Sequence, residues 1–224
     1  MLPFFVSHIS KPENNKGISG ISINRIFGQA ITLFHVFEQE HSKKLRLVII
    51  TGNIHQGKTT FAEKIITDLL EQKVRIAGFL SIGINENGMS TGYNLSDIES
   101  LRQYELCSTK KDGNRLKPGQ YYFNNDTISR GIDILSTENI SDKQLIVIDE
   151  IGPLELNGHG WSNAIEKITG SFVIPHIWVV RKSIVKNVIR KWNIGDAYIF
   201  DIQESNLQEV EKKLHEILLQ KGQT

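Results

Sequence analysis

Beyond residue 45 the apolar positions fall into short unbroken runs separated by stretches of helical spacing. Leu47 to Ile50, Leu145 to Ile148 and Ile177 to Val180 are continuous apolar runs, the pattern of strands covered on both faces in a parallel sheet. Between them, Phe61, Ile65 and Leu69 with Ala62, Ile66 and Leu70 mark one face of a helix, as the 3.6-residue period requires. Val74 to Leu80 predicts the next strand, Ile128, Ile132 and Leu135 another helix, and Ala197 to Phe200 the last strand. A closing helix carries Leu207, Val210, Leu214, Ile217 and Leu218 inward. Strands alternating with helices predict an α/β protein built on a mostly parallel sheet flanked by helices.

Two regions depart from that alternation. Residues 81 to 123 predict an antiparallel β insertion. In it, Asn87-Gly88 makes a hairpin turn between SIGI and MSTGYNL, with further strand pieces at Tyr104 to Leu106 and Tyr121 to Phe123. Pro175 separates Phe172 to Ile174 from the apolar run that follows, which demotes that junction within a strand. At the N-terminus, residues 10 to 22 read as a Pro/Gly/Ser/Asn-rich loop. Ile26, Ala30, Leu33 and Phe37 then predict an amphipathic helix that docks on its own domain, on a protein partner or on a membrane interface. The expected organisation is an extension over residues 1–45 and one domain over 46–224.

Composition removes several classes of function. With 26 Lys and Arg against 25 Asp and Glu, the chain has no overall basic footprint for nucleic acid. Its longest apolar stretch, Ile26 to Phe37, is interrupted by Gln29 and His35 and falls short of the roughly 20 residues a membrane span needs. The single cysteine, Cys107, excludes an internal disulfide and reads as a buried, inert thiol suited to a reducing cytoplasm, the expected location. The seven histidines show no metal-ligand spacing.

The chemistry begins at residues 52–59, GNIHQGKT, which fit G-x-x-x-x-G-K-S/T between a strand and a helix. A chance match in a chain of this length is on the order of one in a hundred at average residue frequencies. Gly52 and Gly57 let the backbone of Asn53, Ile54, His55 and Gln56 turn its N–H groups onto phosphate oxygens at a helix N-terminus. Lys58 supplies the cation for the β- and γ-phosphates, Thr59 a hydroxyl for Mg²⁺, and Thr60 a secondary contact. His55 either touches a phosphate or stands exposed.

The second element is LIVIDE at 145–150, where Asp149 and Glu150 end an apolar strand. Ligands of open α/β sheets bind at such carboxyl ends. Asp149 is the candidate to hold Mg²⁺ and Glu150 the candidate general base for an attacking water, a second carboxylate that favours hydrolysis over a binding switch or a kinase. Arg181, directly after Trp178-Val179-Val180, is the candidate cation for transition-state charge. Glu155 either supports the site or anchors its own turn, and Lys110, Lys111, Arg115 and Lys117 form a basic stretch of the insertion.

From these residues the chain resembles the small P-loop nucleoside-triphosphatases of the thermophile and human cancer-related type. IDEIGPLEL at 148–156 matches their Asp-Glu signature, and GNIHQGKTT at 52, Gly78-Phe79, GYNLSD at 92 and GQYYF at 119 follow in order, over about residues 46 to 221. The resemblance implies a RecA-like P-loop fold with an extra strand between the phosphate-loop strand and the Asp-Glu strand. It also implies a monomer or weak oligomer, and slow Mg²⁺-dependent hydrolysis of ATP, GTP and other nucleoside triphosphates. His55-Gln56 in the loop and Ser81 in place of a threonine depart from the family pattern, and no Asn/Lys-x-x-Asp guanine reader follows the Asp-Glu strand, which favours broad or adenine use. The alternatives are a nucleoside or polynucleotide kinase, and an ATP-gated regulatory or assembly module.

Overall fold

The computed structural model describes residues 45–110, 119–171 and 174–219, all within the compact unit Lys44–Thr224. The expected N-terminal loop and helix, most of the basic stretch (Lys111, Arg115 and Lys117) and Phe172-Val173 lie outside the described residues. Eight strands form one sheet in the order β5-β4-β3-β2-β6-β7-β1-β8. They are β1 (Leu47–Gly52), β2 (Ile76–Glu86), β3 (Met89–Asp97), β4 (Gln103–Ser108), β5 (Tyr122–Phe123), β6 (Leu145–Ile151), β7 (His176–Arg181) and β8 (Ala197–Asp201). Strands β2, β6, β7, β1 and β8 pair in parallel, whereas β2-β3, β3-β4 and β4-β5 pair antiparallel. The expected parallel sheet with an antiparallel insertion is therefore present, and β7 is the strand lying between β1 and β6.

Alternation within each apolar run separates two cores. Leu47, Ile49, Ile146, Ile148, Trp178 and Val180 point to one face, while Val48, Ile50, Val147, Ile177 and Val179 point to the other. The second face is covered by α1 (Lys58–Glu71) through Ala62, Ile65, Ile66 and Leu69. The closing helix α7 (Leu207–Leu219) joins it through Val210, Leu214 and Ile217. The first face takes α2 (Asn125–Ile134), α3 (Thr137–Ile140), α4 (Pro153–Leu156), α5 (Ser162–Ser171) and α6 (Val185–Lys191). Complete burial of each of these large aliphatic or aromatic side chains contributes about 1.5–3 kcal/mol, which is why continuous apolar runs demand cover on both sides.

Several details correct the sequence-based expectations. β2 is a single strand of 11 residues that starts at Ile76 rather than Val74. Through Phe79 it pairs in parallel with β6, and from Phe79 onward it pairs antiparallel with β3, so SIGI extends it instead of starting a new strand. Ile132 is 41% exposed: Gly131 lets α2 approach Leu95, Phe79 and Trp161, and this turns the buried face to Thr127, Ile128, Gly131 and Leu135. Leu70 likewise lies at the exposed margin of α1. Pro175 precedes β7 rather than interrupting it, and its carbonyl accepts from the Ile146 N–H at 3.0 Å.

Gly78 tests the close approach of β2 to β6. Its φ is +126° and a Cβ there would lie 1.9 Å from the Val147 carbonyl oxygen, so Gly78→Ala forces backbone to move. The expected loss exceeds about 3 kcal/mol. Gly88→Ala, at φ +76° in the hairpin with no atom within 4 Å of its Cβ, should cost only about 1–2 kcal/mol. Urea unfolding of the two variants beside the wild type measures the difference.

Candidate active site

The phosphate loop leaves β1 at Gly52 and enters α1 at Lys58. Gly57 is the N-cap, at φ +85° and ψ +24°, with no side-chain cap. A Cβ at Gly57 would meet nothing within 4 Å, so the glycine answers to backbone conformation and not to space. Gly52 is different: a Cβ there would lie 2.9 Å from the Ile202 side chain. Asn53, Ile54, His55, Gly57 and Thr60 are exposed and Gln56 and Thr59 half-buried. His55 itself sits at φ +61°. The Asn53 N–H donates to Gln56 Oε1 at 2.6 Å, and Lys58, only 7% exposed, donates from Nζ to the Asn53 carbonyl at 2.9 Å.

Asp149 ends the apolar part of β6 and is 1% exposed. Its Oδ2 accepts the Ser81 N–H at 3.1 Å, and its backbone carbonyl accepts the Ser81 hydroxyl. Burial, and then the adjoining Glu150 charge, push its pKa up to about 7, while the Ser81 N–H, the Thr59 hydroxyl and the Lys58 charge act in the opposite direction. Beyond Asp149 the β6–β7 register shifts between Asp149 and Ile151, and Glu150 turns out of the ladder to meet Arg181. The Arg181 Nε–H donates to Glu150 Oε1 at 2.5 Å, with the two side chains 35% and 25% exposed. Arg181 is the last residue of β7, in register with Gly52.

The next turn is built around Glu155. Its Oε2 accepts the Gly152 N–H at 2.9 Å, closing the first turn of α4 after Pro153. At 3% exposure, burial raises its pKa to about 7 against the backbone N–H bonds from Gly152, Glu155 and Trp161. Glu155 thus anchors its own turn. Cys107 is buried, and desolvation lifts its thiol to about 12, which removes it as a nucleophile.

A cavity of about 620 Å³ opens against this edge, reached by Thr59, Ser81, Glu150 and Arg181. The structure therefore brings Lys58, Thr59, Asp149, Glu150 and Arg181 to one carboxyl edge of the sheet. Ser81 was not among the sequence candidates, and neither were the cavity-lining Tyr93, Tyr121 and Trp161. Ser81 reaches Asp149 only through β2–β6 pairing, a long-range register that no local spacing encodes. Among the described residues no group of three or more His, Cys, Asp or Glu side chains is arranged to hold a metal, and no helix is long and apolar enough to cross a membrane.

The family model described as NTPase matches residues 47–215. The chain belongs to this NTPase family. Nucleoside-triphosphatase THEP1 of Saccharolobus solfataricus is 37% identical over 117 residues, covering 52% of this chain and 66% of that protein. THEP1 of Sulfolobus acidocaldarius is 32% identical over 162 residues, covering 71% and 87%. The crystal structure of THEP1 from the hyperthermophile Aquifex aeolicus aligns with a TM-score of 0.60 at 20% identity over 77% of this chain and 98% of that one, a likeness of fold. The family assignment accords with the sequence resemblance, and the matched span begins with β1 and ends within α7.

Glu155 makes a pH test of the site's electrostatics. Its carboxyl binds a proton more tightly folded, near pH 7, than its ordinary 4.5, so its contribution to stability falls as pH rises from about 4.5 to 7 and is constant above. Glu155→Gln keeps an acceptor for Gly152 and removes that titration. In chelator-treated protein its stability should gain on the wild type steadily between pH 5 and 7 and hold that difference at pH 8, as read by urea unfolding.

Proposed function

We propose that this NTPase hydrolyses the β–γ phosphoanhydride of Mg²⁺-bound nucleoside triphosphates, with roles divided among the residues at the carboxyl edge. The observation that carries the reading is the convergence of the phosphate loop, the Asp149-Glu150 pair and Arg181 on one side of the sheet. The loop N–H groups and Lys58 bind the phosphates at the positive end of α1. Glu150 accepts the proton of the attacking water. Arg181 holds the Glu150 carboxylate in direction through its Nε–H, and its remaining N–H donors are available to the charge that develops on the transferring phosphoryl oxygens.

Thr59 and Asp149 fit Mg²⁺. They offer a hydroxyl and a carboxylate close to each other, with the carboxylate buried near the Lys58 charge. Hard oxygen donors in small number suit a cation that keeps several waters and shares its shell with substrate phosphates. Bound there, Mg²⁺ would neutralise phosphate charge. Ser81 acts on Asp149, fixing both its carboxylate and its carbonyl.

The nucleoside triphosphate is the expected ligand, and its base is left unread because the loop recognises only phosphates. Location in the cytoplasm and a monomeric or weakly associated state belong to the same proposal, as does a protein partner for residues 1–45; the near-neutral charge argues against nucleic acid.

Glu150→Gln should lower phosphate release from Mg²⁺-ATP by about 10²- to 10⁴-fold while nucleotide binding persists. Lys58→Ala should weaken both binding and turnover, and Arg181→Ala should lower kcat by about 10²- to 10³-fold. Chelating the divalent cation should stop turnover. Phosphate release across ATP, GTP, CTP and UTP, beside equilibrium binding of each nucleotide, measures all of these; unchanged turnover in Glu150→Gln removes its role.

A further inference from the structure

The cavity is far larger than a hydrolytic water requires. A water molecule takes about 30 Å³ of liquid, whereas about 620 Å³ lies open against Glu150 and Arg181, inside the range of roughly 300–1,000 Å³ typical of small-molecule sites. Its walls are mainly apolar and aromatic: Tyr93, Tyr121, Phe123, Trp161, Leu106 and Leu154. Tyr93 and Tyr121 meet edge to face at 5.4 Å between ring centroids, and the Tyr121 hydroxyl is bonded to the Ser90 hydroxyl at 3.0 Å. A mainly apolar wall with four aromatic rings suits a flat ring system better than a water chain.

Position argues the same way. Among the described residues the lining comes from the phosphate loop, the β2–β5 side of the sheet, the ends of β6 and β7, and the turn through Pro153 and Trp161, with none from β8 or α7. The start of the loop, in contrast, abuts Ile202 just beyond β8. A triphosphate on the loop with its terminal phosphate toward Glu150 therefore directs its nucleoside away from the cavity, and the aromatic box stays free beyond the γ-phosphate. Of the charged groups that line it, Glu150 and Arg181 form one ion pair, and Glu155 is committed to Gly152. The box thus selects an uncharged occupant.

We propose that this cavity is an acceptor site for an uncharged heteroaromatic alcohol of nucleoside size, to which the γ-phosphoryl group is passed in place of water. The proposal rests on the assignment of Glu150 and the phosphate loop given above. The acceptor oxygen forms a bond to the γ-phosphorus as the bond from that phosphorus to the β–γ bridging oxygen breaks. The broken bond's electron pair stays with the nucleoside diphosphate, and the hydroxyl proton passes to Glu150 and then to solvent. Nothing is oxidised or reduced. Hydrolysis is the same transfer when water fills the cavity.

The test uses full-length protein with Mg²⁺ and [γ-³²P]ATP, offered adenosine, guanosine, cytidine, uridine and thymidine separately, and a single-stranded oligonucleotide with a 5′-hydroxyl. Chromatography separates labelled monophosphate, labelled oligonucleotide and free phosphate. The expected result is a labelled nucleoside monophosphate from at least one nucleoside, reduced at least about tenfold in Tyr121→Ala while phosphate release stays within about twofold of wild type. Phe123→Leu, a gentler change in the same wall, should lower transfer in the same selective way, with thermal melting verifying that both variants fold. Free phosphate as the only product with every nucleoside overturns the acceptor site and leaves the hydrolase intact. Label on the oligonucleotide alone overturns it in favour of a nucleic-acid acceptor. Equal loss of transfer and release in both folded variants removes the separate role of the cavity, and neither product in the wild type removes the hydrolase reading as well.

Discussion

Strand β7 is hydrogen-bonded between β1 and β6, and the site depends on that placement more than on any one side chain. Its register sets Arg181 level with Gly52 on one side and Val180 beside Ile151 on the other. Parallel strands share a carboxyl edge, so the phosphate loop, the Asp149-Glu150 pair and the Arg181 guanidinium emerge as neighbours although they lie about 30 to 130 residues apart in the chain. Such pairing persists only with both faces covered. The two cores that sandwich the sheet are therefore as much a condition of the chemistry as the residues at its rim.

Burial at that rim sets the electrostatics. Asp149 lies at the end of a fully buried run, and desolvation favours its neutral form. Lys58 and Thr59 oppose that tendency from α1, and Ser81 from β2. A divalent cation would add the largest opposing charge of all. Glu155 faces the same desolvation and meets it with backbone N–H groups, which fixes the turn forming one wall of the cavity. Two buried carboxylates separated by a few residues thus have different partners: one faces the phosphate loop, the other closes a helix.

Much of this was legible locally. The phosphate loop is a contiguous string whose conformation is set by Gly57 and by the helix it opens, and Asp149-Glu150 follows directly on an apolar strand. Apolar periodicity located the strands and helices because covering determines it. It failed at Ile132, where helical spacing alone cannot tell which of two adjacent faces a glycine allows to pack. It also divided β2, since one strand changes partners from β6 to β3 at Phe79 without any change in its own residues.

The sequence by itself determined the α/β class, the phosphate-binding loop and the acidic strand end, because each is a property of neighbouring residues: period, turn geometry and hydropathy. Only the tertiary structure decided that Ser81 holds Asp149, that Arg181 meets Glu150, and that Tyr93, Tyr121 and Trp161 enclose a chamber beside them. Those relations come from strand order and register, which arise when distant segments compete to bury the same surface. That competition is resolved only by the folded chain as a whole.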